Sequence, residues 1–462
     1  MSAAVLPLFR PPSAPRHKKP LSTLGVLSVL VRNPLEIWSD LHFEKPFLIG
    51  KTYFGMRAMV SEPDSVRRVM LDNVANYRKD PLTLRVLKPA LGTGLLTADG
   101  DTWKTQRRAL SPLFSPRQTA SFAPAMHRVA RAGVAEMART EGAVVNVHEE
   151  MAVIALRVLE ETLFSTGIAR EASQFQKAVT RYFETVGRLD PLDVLGAPDF
   201  LPRMGRALGK GSLDYLASAV TDIVGARRAL IASGAAPPQD FLTLLLRAAD
   251  PETGRGLSEA DMRANIITFI GAGHETTGNA LTWTLYLLSQ SPEWRQRVEA
   301  ELDALFDPAD DSDAVMNLPV TRAVFEEAMR LYPPAPNVMR EAIGEDYLSG
   351  HRVPPGTVVS ISPYVLHRHK TLWRDPDHFD PSRFLPGERE NIDRYAYIPF
   401  GAGPRVCIGA AFAMQEGLVV LANMLRHLRF EMLPGQKVEL QQRITLRPRF
   451  GMKMIARRRI GA

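Results

Sequence analysis

A single cysteine, Cys407, stands in the glycine-rich segment FGAGPRVCIG (residues 400–409) of this 462-residue chain. One cysteine excludes an internal disulfide and a zinc site of several thiolates, but it can give one thiolate to one metal. The glycines let the backbone approach a flat group closely, and Arg405 adds a permanent cation that can pair with a carboxylate. A helical pattern begins just after Ile408, which places Cys407 near a helix N-terminus and favours its thiolate. A buried, inert cysteine is the alternative, and the surrounding segment argues against it.

This segment resembles the haem-thiolate loop of the cytochrome P450 family, because it matches the pattern Phe-Gly-x-Gly-x-Arg-x-Cys-x-Gly at every fixed position. The resemblance extends from about residue 35 to the end of the chain. It implies an α+β, predominantly α fold with small β-sheets at its edges. It also implies that the cofactor is haem b (iron protoporphyrin IX), with Cys407 on the iron and Phe400, Arg405 and Gly409 beside the macrocycle.

A second motif, AGHETT (residues 272–277), lies inside a long apolar segment. Glycine costs about 1 kcal/mol relative to alanine in a helix interior, and the hydroxyl of Thr276 can bond back to a carbonyl one turn earlier. A glycine-kinked core helix would explain these features without any function. The family resemblance instead places Ala272 and Gly273 in a groove beside the haem, where the helix opens locally. It assigns proton delivery to Glu275 and Thr276 as the catalytic pair.

Glu327 and Arg330 are three residues apart and share one face of a predicted helix. An isolated pair of this kind is most often an exposed ion pair of little energetic value. The later segment FDPSRF (residues 379–384) resembles the family segment that supplies a second arginine, Arg383, to the same glutamate. The resemblance implies a buried Arg-Glu-Arg group that supports haem binding without touching the haem.

Trp103 and Arg107 are four residues apart and face one way on a predicted helix. A core tryptophan beside a solvated arginine is the simpler interpretation. The family resemblance assigns both residues, and also Arg340, to the haem propionates. Arginine suits this role because it stays charged and binds a carboxylate through two hydrogen bonds. On the same helix, Lys104 and Arg108 are expected to face an electron donor.

The net charge is +7, but eight unopposed basic residues lie within residues 1–20 and 451–462, so residues 21–450 carry −1. This distribution predicts no nucleic-acid-binding domain. Residues 1–20 are predicted to be a flexible, basic, proline-rich arm, and residues 21–462 a single domain. No segment predicts a membrane anchor or a signal peptide. We therefore expect a soluble, cytoplasmic protein of the bacterial type.

Periodicity predicts a strand pair over residues 47–61, mainly helices over 62–330 and a long helix over 408–427. Two segments, Pro81–Gly100 and Asp190–Gly211, are predicted to be long irregular loops. Shorter strands are expected over residues 339–362 and 438–455.

The resemblance implies a monooxygenase that uses O2 and a small organic substrate. Electrons would come from a ferredoxin or flavodoxin with its reductase, since the chain has no cysteines for an iron–sulfur cluster. A peroxide-driven relative and a non-catalytic haem-thiolate sensor are the alternatives, and the intact acid–alcohol pair argues against both. By family position the substrate pocket is expected to be mostly apolar, with Phe269, Val338, Met339, Ile444 and Thr445 in its wall.

Overall fold

Helix α12 (Glu259–Ser289) passes through the core, and nearly all of its residues from Met262 to Leu288 are buried. Its apolar composition on all sides is what a helix surrounded by protein requires. The computed structural model describes residues 8–139, 141–165, 172–186, 190–198, 200–304 and 312–459. Across the helices in these ranges, no stretch combines the length and the apolar character needed to cross a lipid bilayer.

Helices make up most of the regular structure, and small sheets lie at its edges, so the predicted α+β class is confirmed. The α-helices in the described ranges are α1 (Thr23–Arg32), α2 (Pro63–Arg67), α3 (Pro81–Leu91), α4 (Gly100–Leu110), α5 (Pro116–Ala120), α6 (Ala123–Arg139), α7 (Val147–Leu159), α8 (Ala172–Val186), α9 (Pro191–Val194), α10 (Met204–Ala232), α11 (Phe241–Arg247), α12 (Glu259–Ser289), α13 (Pro292–Asp303), α14 (Ser312–Met316), α15 (Pro319–Leu331), α16 (Pro363–Leu366) and α17 (Ala410–His427).

The strands within the described residues form one larger sheet and three smaller ones. The larger sheet has the order β1-β2-β8-β5-β3, in which only the β2–β8 pair is parallel. The strands are β1 (Phe47–Thr52), β2 (Gly55–Val60), β3 (Tyr77–Lys79), β4 (Val144–Asn146), β5 (Val338–Ala342), β6 (Asp346–Leu348), β7 (His351–Val353), β8 (Val358–Ile361), β9 (Leu428–Met432), β10 (Leu440–Gln442), β11 (Leu446–Pro448) and β12 (Lys453–Arg458). Strands β4, β12 and β9 form a three-stranded sheet, whereas β10–β11 and β6–β7 are two-stranded.

Glycines let α12 approach α7 closely. A Cβ atom added to Gly278 would lie 2.9 Å from the Cα atom of Ala152, and one added to Gly273 would lie 2.9 Å from Cδ1 of Leu159. Both distances are shorter than real Cβ contacts allow. At Gly278 the obstacle is backbone, so this position requires glycine for packing, whereas the Leu159 side chain near Gly273 can shift.

The prediction of an irregular loop over Pro81–Gly100 is wrong for the first half of this segment, which forms helix α3. The Asp80 carboxylate accepts a hydrogen bond from the backbone N–H of Thr83 at 2.9 Å, and proline occupies the first helical position. Both are helix-start signals, since the cap satisfies a free amide and proline has no N–H to lose. Likewise, the second expected loop, Asp190–Gly211, contains α9, and its last part, residues 204–211, belongs to α10.

The N-terminal segment packs against the body of the chain over residues 8–20. The Tyr364 hydroxyl accepts a hydrogen bond from the backbone N–H of Ala14 at 2.9 Å. Arg16 forms an ion pair with Asp377 at 2.5 Å, and both side chains are mostly buried. The expectation of a flexible arm did not anticipate this packing, because the partners lie more than 300 residues away in sequence.

Candidate active site

A cavity of about 1170 Å³ lies between α12 and the segment that carries Cys407. Most of its wall is apolar. The residues that the sequence predicted for the catalytic pair, the haem contacts and the substrate pocket all line it: Trp103, Arg107, Phe269, Ala272, Gly273, Glu275, Thr276, Val338, Met339, Arg340, Phe400, Arg405, Cys407, Gly409, Ile444 and Thr445. Motifs separated by more than 300 residues therefore meet at one site.

The backbone of the Cys407 segment forms a tight loop before helix α17. Gly401 and Gly403 have φ angles of 73° and 68°, a region that favours glycine. A Cβ atom on Gly403 would lie 1.8 Å from the Met70 carbonyl oxygen, so a larger residue cannot fit there. The Cys407 N–H donates to the Phe400 carbonyl at 2.9 Å, which closes the loop and directs the thiol into the cavity wall.

The Cys407 thiol is accessible from the cavity, and protein surrounds it on the other sides. This burial raises the pKa of the thiol, while the backbone N–H of Gly409 and the charge of Arg107 act in the opposite direction. The Arg107 guanidinium donates to the Val406 carbonyl at 2.9 Å, next to the cysteine. A bound metal cation would favour the thiolate much more strongly than these groups do.

Basic side chains gather at one edge of the cavity. Arg405 bonds to Asp99, and its guanidinium carbon lies 5.0 Å above the centre of the Trp103 ring. Its Nη1 atom is buried and has no hydrogen-bonding partner within the described residues. Arg340 donates to the Met339 carbonyl at 2.9 Å. Burial, and next the charge of Arg405, lower the pKa of Arg340 to about 10.

Lys79 is a fourth basic residue at this edge, and the sequence analysis missed it. Its amino group donates to the carbonyls of Leu95 and Ala98 at 3.0 and 2.5 Å. Burial, and next the charge of Arg405, lower the pKa of Lys79 to about 7. Lys79 ends the strand Tyr77–Lys79 and lies on the same inward face as Tyr77, but three residues are too few for the sequence to show this alternation.

We refer to Lys79, Arg107, Arg340 and Arg405 as the cavity cations. Asp99 is the acid that bonds to one of them, and it also accepts hydrogen bonds from two backbone N–H groups. The edge therefore carries more positive than negative charge, and at least one buried donor still lacks an acceptor. A ligand with two carboxylates would balance this charge. With the thiol in the floor of the cavity, the donor set fits a haem and its propionates.

On α12, the hydroxyl of Thr276 donates to the Ala272 carbonyl at 2.6 Å. The Glu275 carboxylate lies 3.9 Å from the Arg447 guanidinium. The helix is α-helical without interruption through these residues, so the local opening that the family resemblance implied does not occur in this structure. The threonine bond to the carbonyl one turn earlier is the feature that the sequence anticipated.

Glu416 on α17 is a second carboxyl at the cavity wall that the sequence analysis did not select. It is buried beside Thr277, and this burial raises the pKa of the Glu416 carboxyl well above its ordinary value. The signal for it was a single acid in the otherwise mostly apolar sequence of α17. A carboxyl in such surroundings is held in its protonated form.

Glu327, Arg330 and Arg383 come together away from the cavity wall. Glu327 and Arg330 are 0% exposed and form a bidentate pair at 2.6 and 2.8 Å. Arg383 approaches the same carboxylate at 3.8 Å. Arg330 also donates to the carbonyls of His367, Pro376 and His378, which lie in the irregular segment that follows α16.

Comparisons with known proteins agree with this site. The family model described as Cytochrome P450 matches residues 15–453. Cyclooctatin synthase of Streptomyces melanosporofaciens is 33% identical over 397 residues, which cover 83% of each chain. Cyclooctat-9-en-7-ol 5-monooxygenase of the same organism is 30% identical over 413 residues, covering 89% of this chain and 88% of that protein. The crystal structure of the cytochrome P450DA heme domain superimposes with a TM-score of 0.80 at 25% identity, over 98% of both chains.

These matches extend over most of the chain and include the segment with the cysteine, the cavity and α12. The chain belongs to the cytochrome P450 family of haem-dependent monooxygenases.

Proposed function

We propose that this protein binds haem b through Cys407 and inserts one oxygen atom of O2 into a mostly apolar substrate, using electrons from a separate protein. The observation that carries the proposal is the arrangement of one cavity. Its floor holds the only cysteine of the chain, and the cavity cations lie together at one edge. The remainder of its wall is largely apolar.

When bound, the haem supplies the reductive activation of O2, and a thiolate ligand favours cleavage of the O–O bond. In this chain Cys407 would hold the iron. Arg107, Arg340 and Arg405 would bind the propionates, and the Trp103 ring keeps the Arg405 guanidinium in place. Lys79 lies close enough to these arginines to share the task.

Ala272, Gly273, Phe400 and Gly409 would pack against the flat faces of the haem. All four line the cavity, and none has a long side chain with a charged group. Ala272 is exposed to the cavity although it lies in the central helix. A small side chain at this point leaves room for a flat ligand.

Proton delivery would fall to Glu275 and Thr276. The carboxyl group can take a proton and release it, and the adjacent hydroxyl can pass it on because it is both a donor and an acceptor. The Thr276 hydroxyl is bonded to a backbone carbonyl of its own helix, so its position is fixed. Thr276→Ala should therefore leave haem and substrate binding intact and raise the yield of hydrogen peroxide at the expense of product.

Glu327, Arg330 and Arg383 would act as structural support. They tie α15 to the irregular segment that leads to the Cys407 loop. Their contribution to haem binding is therefore indirect.

The wall of the substrate pocket supports an apolar ligand. Phe269, Val338, Met339 and Ile444 present hydrocarbon to the cavity, and Thr445 contributes one hydroxyl. The name of one relative gives cyclooctat-9-en-7-ol as its substrate, which is consistent with a ligand of low polarity.

A separate ferredoxin or flavodoxin with its reductase would supply the electrons, and cytoplasmic location fits such a donor. Other residues of α4 reach the cavity, and Lys104 is exposed on this helix. Its pair with the exposed Asp101 at 3.2 Å is of the weak surface kind, so Lys104 can exchange it for an acidic partner. Arg108 is not available in the way the sequence predicted. It forms a bidentate pair with the fully buried Asp250 at 2.8 and 2.7 Å, so its charge is already used inside the protein.

The test is replacement of the cysteine. Cys407→Ala and Cys407→Ser should fold with the wild-type circular dichroism spectrum and lose the thiolate-type absorption band of the reduced, carbon-monoxide-bound form. Retention of that band in either variant would disprove the ligand assignment. In wild type, product formation that requires a ferredoxin or flavodoxin system, and does not occur with hydrogen peroxide alone, separates the proposal from a peroxide-driven enzyme.

A further inference from the structure

The Glu275 side chain leaves α12 toward strand β11 and meets Arg447 there. The distance from Oε1 of Glu275 to Nη1 of Arg447 is 3.9 Å, and the two side chains are only 14% and 18% exposed. Attraction between opposite charges is stronger at such a partly buried site than at the open surface. At this distance a water molecule can also bridge the two groups. Arg447 therefore restrains the carboxylate without locking it.

A separate chain of hydrogen bonds joins helix α7 to Thr445, two residues before Arg447. The His148 ring nitrogen Nε2 lies 3.1 Å from Oδ1 of Asn279, whose Nδ2 atom donates to the Thr445 hydroxyl at 3.1 Å. Burial, and next the charge of Arg447, lower the pKa of His148 to about 4. The imidazole is therefore neutral near pH 7, and Arg447 is a permanent cation that acts on this histidine and also contacts Glu275.

Strand β11 gives Arg447 a fixed origin. It pairs with β10 through the register Gln441–Arg447, and the turn between these strands carries Ile444 and Thr445 in the cavity wall. The guanidinium thus reaches Glu275 from an element that also contacts the substrate space. No family motif in the sequence marks this arginine.

We infer that Arg447 is a positioning residue for Glu275, which it holds at the cavity edge with the carboxylate directed toward β11 and α7. The inference rests on the proposed proton-delivery role of Glu275. In this arrangement Glu275 exchanges protons with water on the side of β11 and α7, and delivers them on the side of Thr276. Without Arg447 the carboxylate turns away from this position, and fewer protons arrive in time.

The experiment compares Arg447→Gln with Arg447→Lys, which keeps the charge, and with Arg449→Gln as a matched control. Arg449 lies next to β11, is exposed and pairs with Glu439. Product formed per reducing equivalent and hydrogen peroxide yield are measured together. Because general acid–base catalysis contributes about 10²–10⁴-fold, loss of its positioning should lower coupling by about tenfold in Arg447→Gln. Arg447→Lys should retain most of the coupling, and Arg449→Gln all of it.

A second readout does not depend on turnover. The infrared carboxylate band that disappears in Glu275→Gln should shift in Arg447→Gln and stay unchanged in Arg449→Gln. Arg447→Met keeps the apolar stem of the side chain and replaces Arg447→Gln if that variant does not accumulate.

A double substitution decides between a local and a general effect. In the Glu275→Gln background, Arg447→Gln should lower coupling no further, since both changes remove the same function. If Glu275→Gln lowers coupling and Arg447→Gln does not, the inference about Arg447 is wrong, and the proton-delivery role of Glu275 is still supported. If Glu275→Gln itself couples like wild type, the proposed proton-delivery role of Glu275 and the inference about Arg447 are both wrong. An additive double variant would show that Arg447 acts independently of Glu275, which also overturns the inference.

Discussion

Two groups of basic side chains, one around Glu327 and one at the cavity edge, differ in how completely the protein satisfies them. In the Glu327 cluster (Glu327, Arg330 and Arg383), the five N–H groups of Arg330 donate to two carboxylate oxygens and three backbone carbonyls. Among the cavity cations, Arg107 and Arg340 each donate to one backbone carbonyl in the described part of the chain. A buried donor without an acceptor costs free energy. The protein therefore satisfies Arg330 completely, although Nε of the neighbouring Arg383 has no acceptor among the described residues, and the cavity cations are organised for a ligand.

The Glu327 cluster and the cavity cations also differ in how far their positive charge is neutralised. The Glu327 carboxylate also accepts a hydrogen bond from the backbone N–H of Asp380 at 2.8 Å, so it connects two parts of the chain. Among the four cavity cations, Arg405 is paired with an acid, Asp99, which is the one carboxylate bonded to this group in the described residues. Concentrated like charges repel one another, and a dianionic ligand would relieve this repulsion. Loss of a residue from the first group should therefore affect folding, and loss from the second should affect ligand retention.

The largest effect is expected for Glu327→Ala. Removing one partner of a buried ion pair costs about 3–5 kcal/mol, because the other charge stays buried without compensation. The free energy of unfolding, measured by denaturant titration, should fall by this amount, and much of the protein should be insoluble. The matched control is Glu431→Ala, which breaks the exposed pair with Arg457 and should change stability little. A soluble Glu327→Ala holoprotein with the wild-type unfolding midpoint would contradict the structural role.

The contrast between the two groups also separates what the sequence could predict from what it could not. The cysteine loop and the acid–alcohol pair could be predicted from short local motifs, because FGAGPRVCIG and AGHETT fix residue types at close spacing. The other residues of the cavity wall were predicted from their position in the family pattern. The environment of Arg108 could not be derived in this way. Its partner Asp250 lies 142 residues further along the chain, and only the fold brings the two together. The same holds for the contact between Ala14 and Tyr364.

Local signals were also present but unused. Asp80 followed by proline marks the start of α3, yet the glycines and the proline further along suggested a loop. Lys79 lies directly before this cap, at the end of a three-residue strand that is too short to give a clear alternation. Its burial depends on the carbonyls of Leu95 and Ala98, which α3 and the following turn bring within reach.

The second prediction concerns haem retention. Arg107→Ala, Arg340→Ala and Arg405→Ala should each remove a charge-assisted interaction of about 1.5–3 kcal/mol with a propionate. Each should therefore release haem to an acceptor such as apomyoglobin about 10- to 150-fold more readily than wild type. Arg78→Ala is the control, since Arg78 pairs with Glu341 on the outer side of the same sheet. Wild-type haem retention in all three variants would show that the cavity cations do not bind propionates.

The smallest effect is a pH dependence that originates from Lys79. Its pKa of about 7 means that the amino group loses its charge as the pH rises above neutrality. A propionate nearby would favour the ammonium form and raise this pKa, so haem binding would take up a proton above pH 7. Haem affinity should then decrease as the pH rises, by at most about tenfold from pH 7 to pH 8, which is the limit for one proton.

Lys79→Met isolates this contribution, since it keeps the apolar stem and removes the titrating group. Other groups, including the cysteine thiol, also make haem affinity depend on pH, so the informative quantity is the ratio of wild-type to variant affinity. This ratio should exceed one at pH 7 and fall toward one by pH 9, whereas the ratio for Arg78→Met, on the outward face of the same strand, should stay constant. A wild-type to Lys79→Met ratio that does not change with pH would group Lys79 with Arg330, as a residue whose acceptors belong to the protein, here the carbonyls of Leu95 and Ala98.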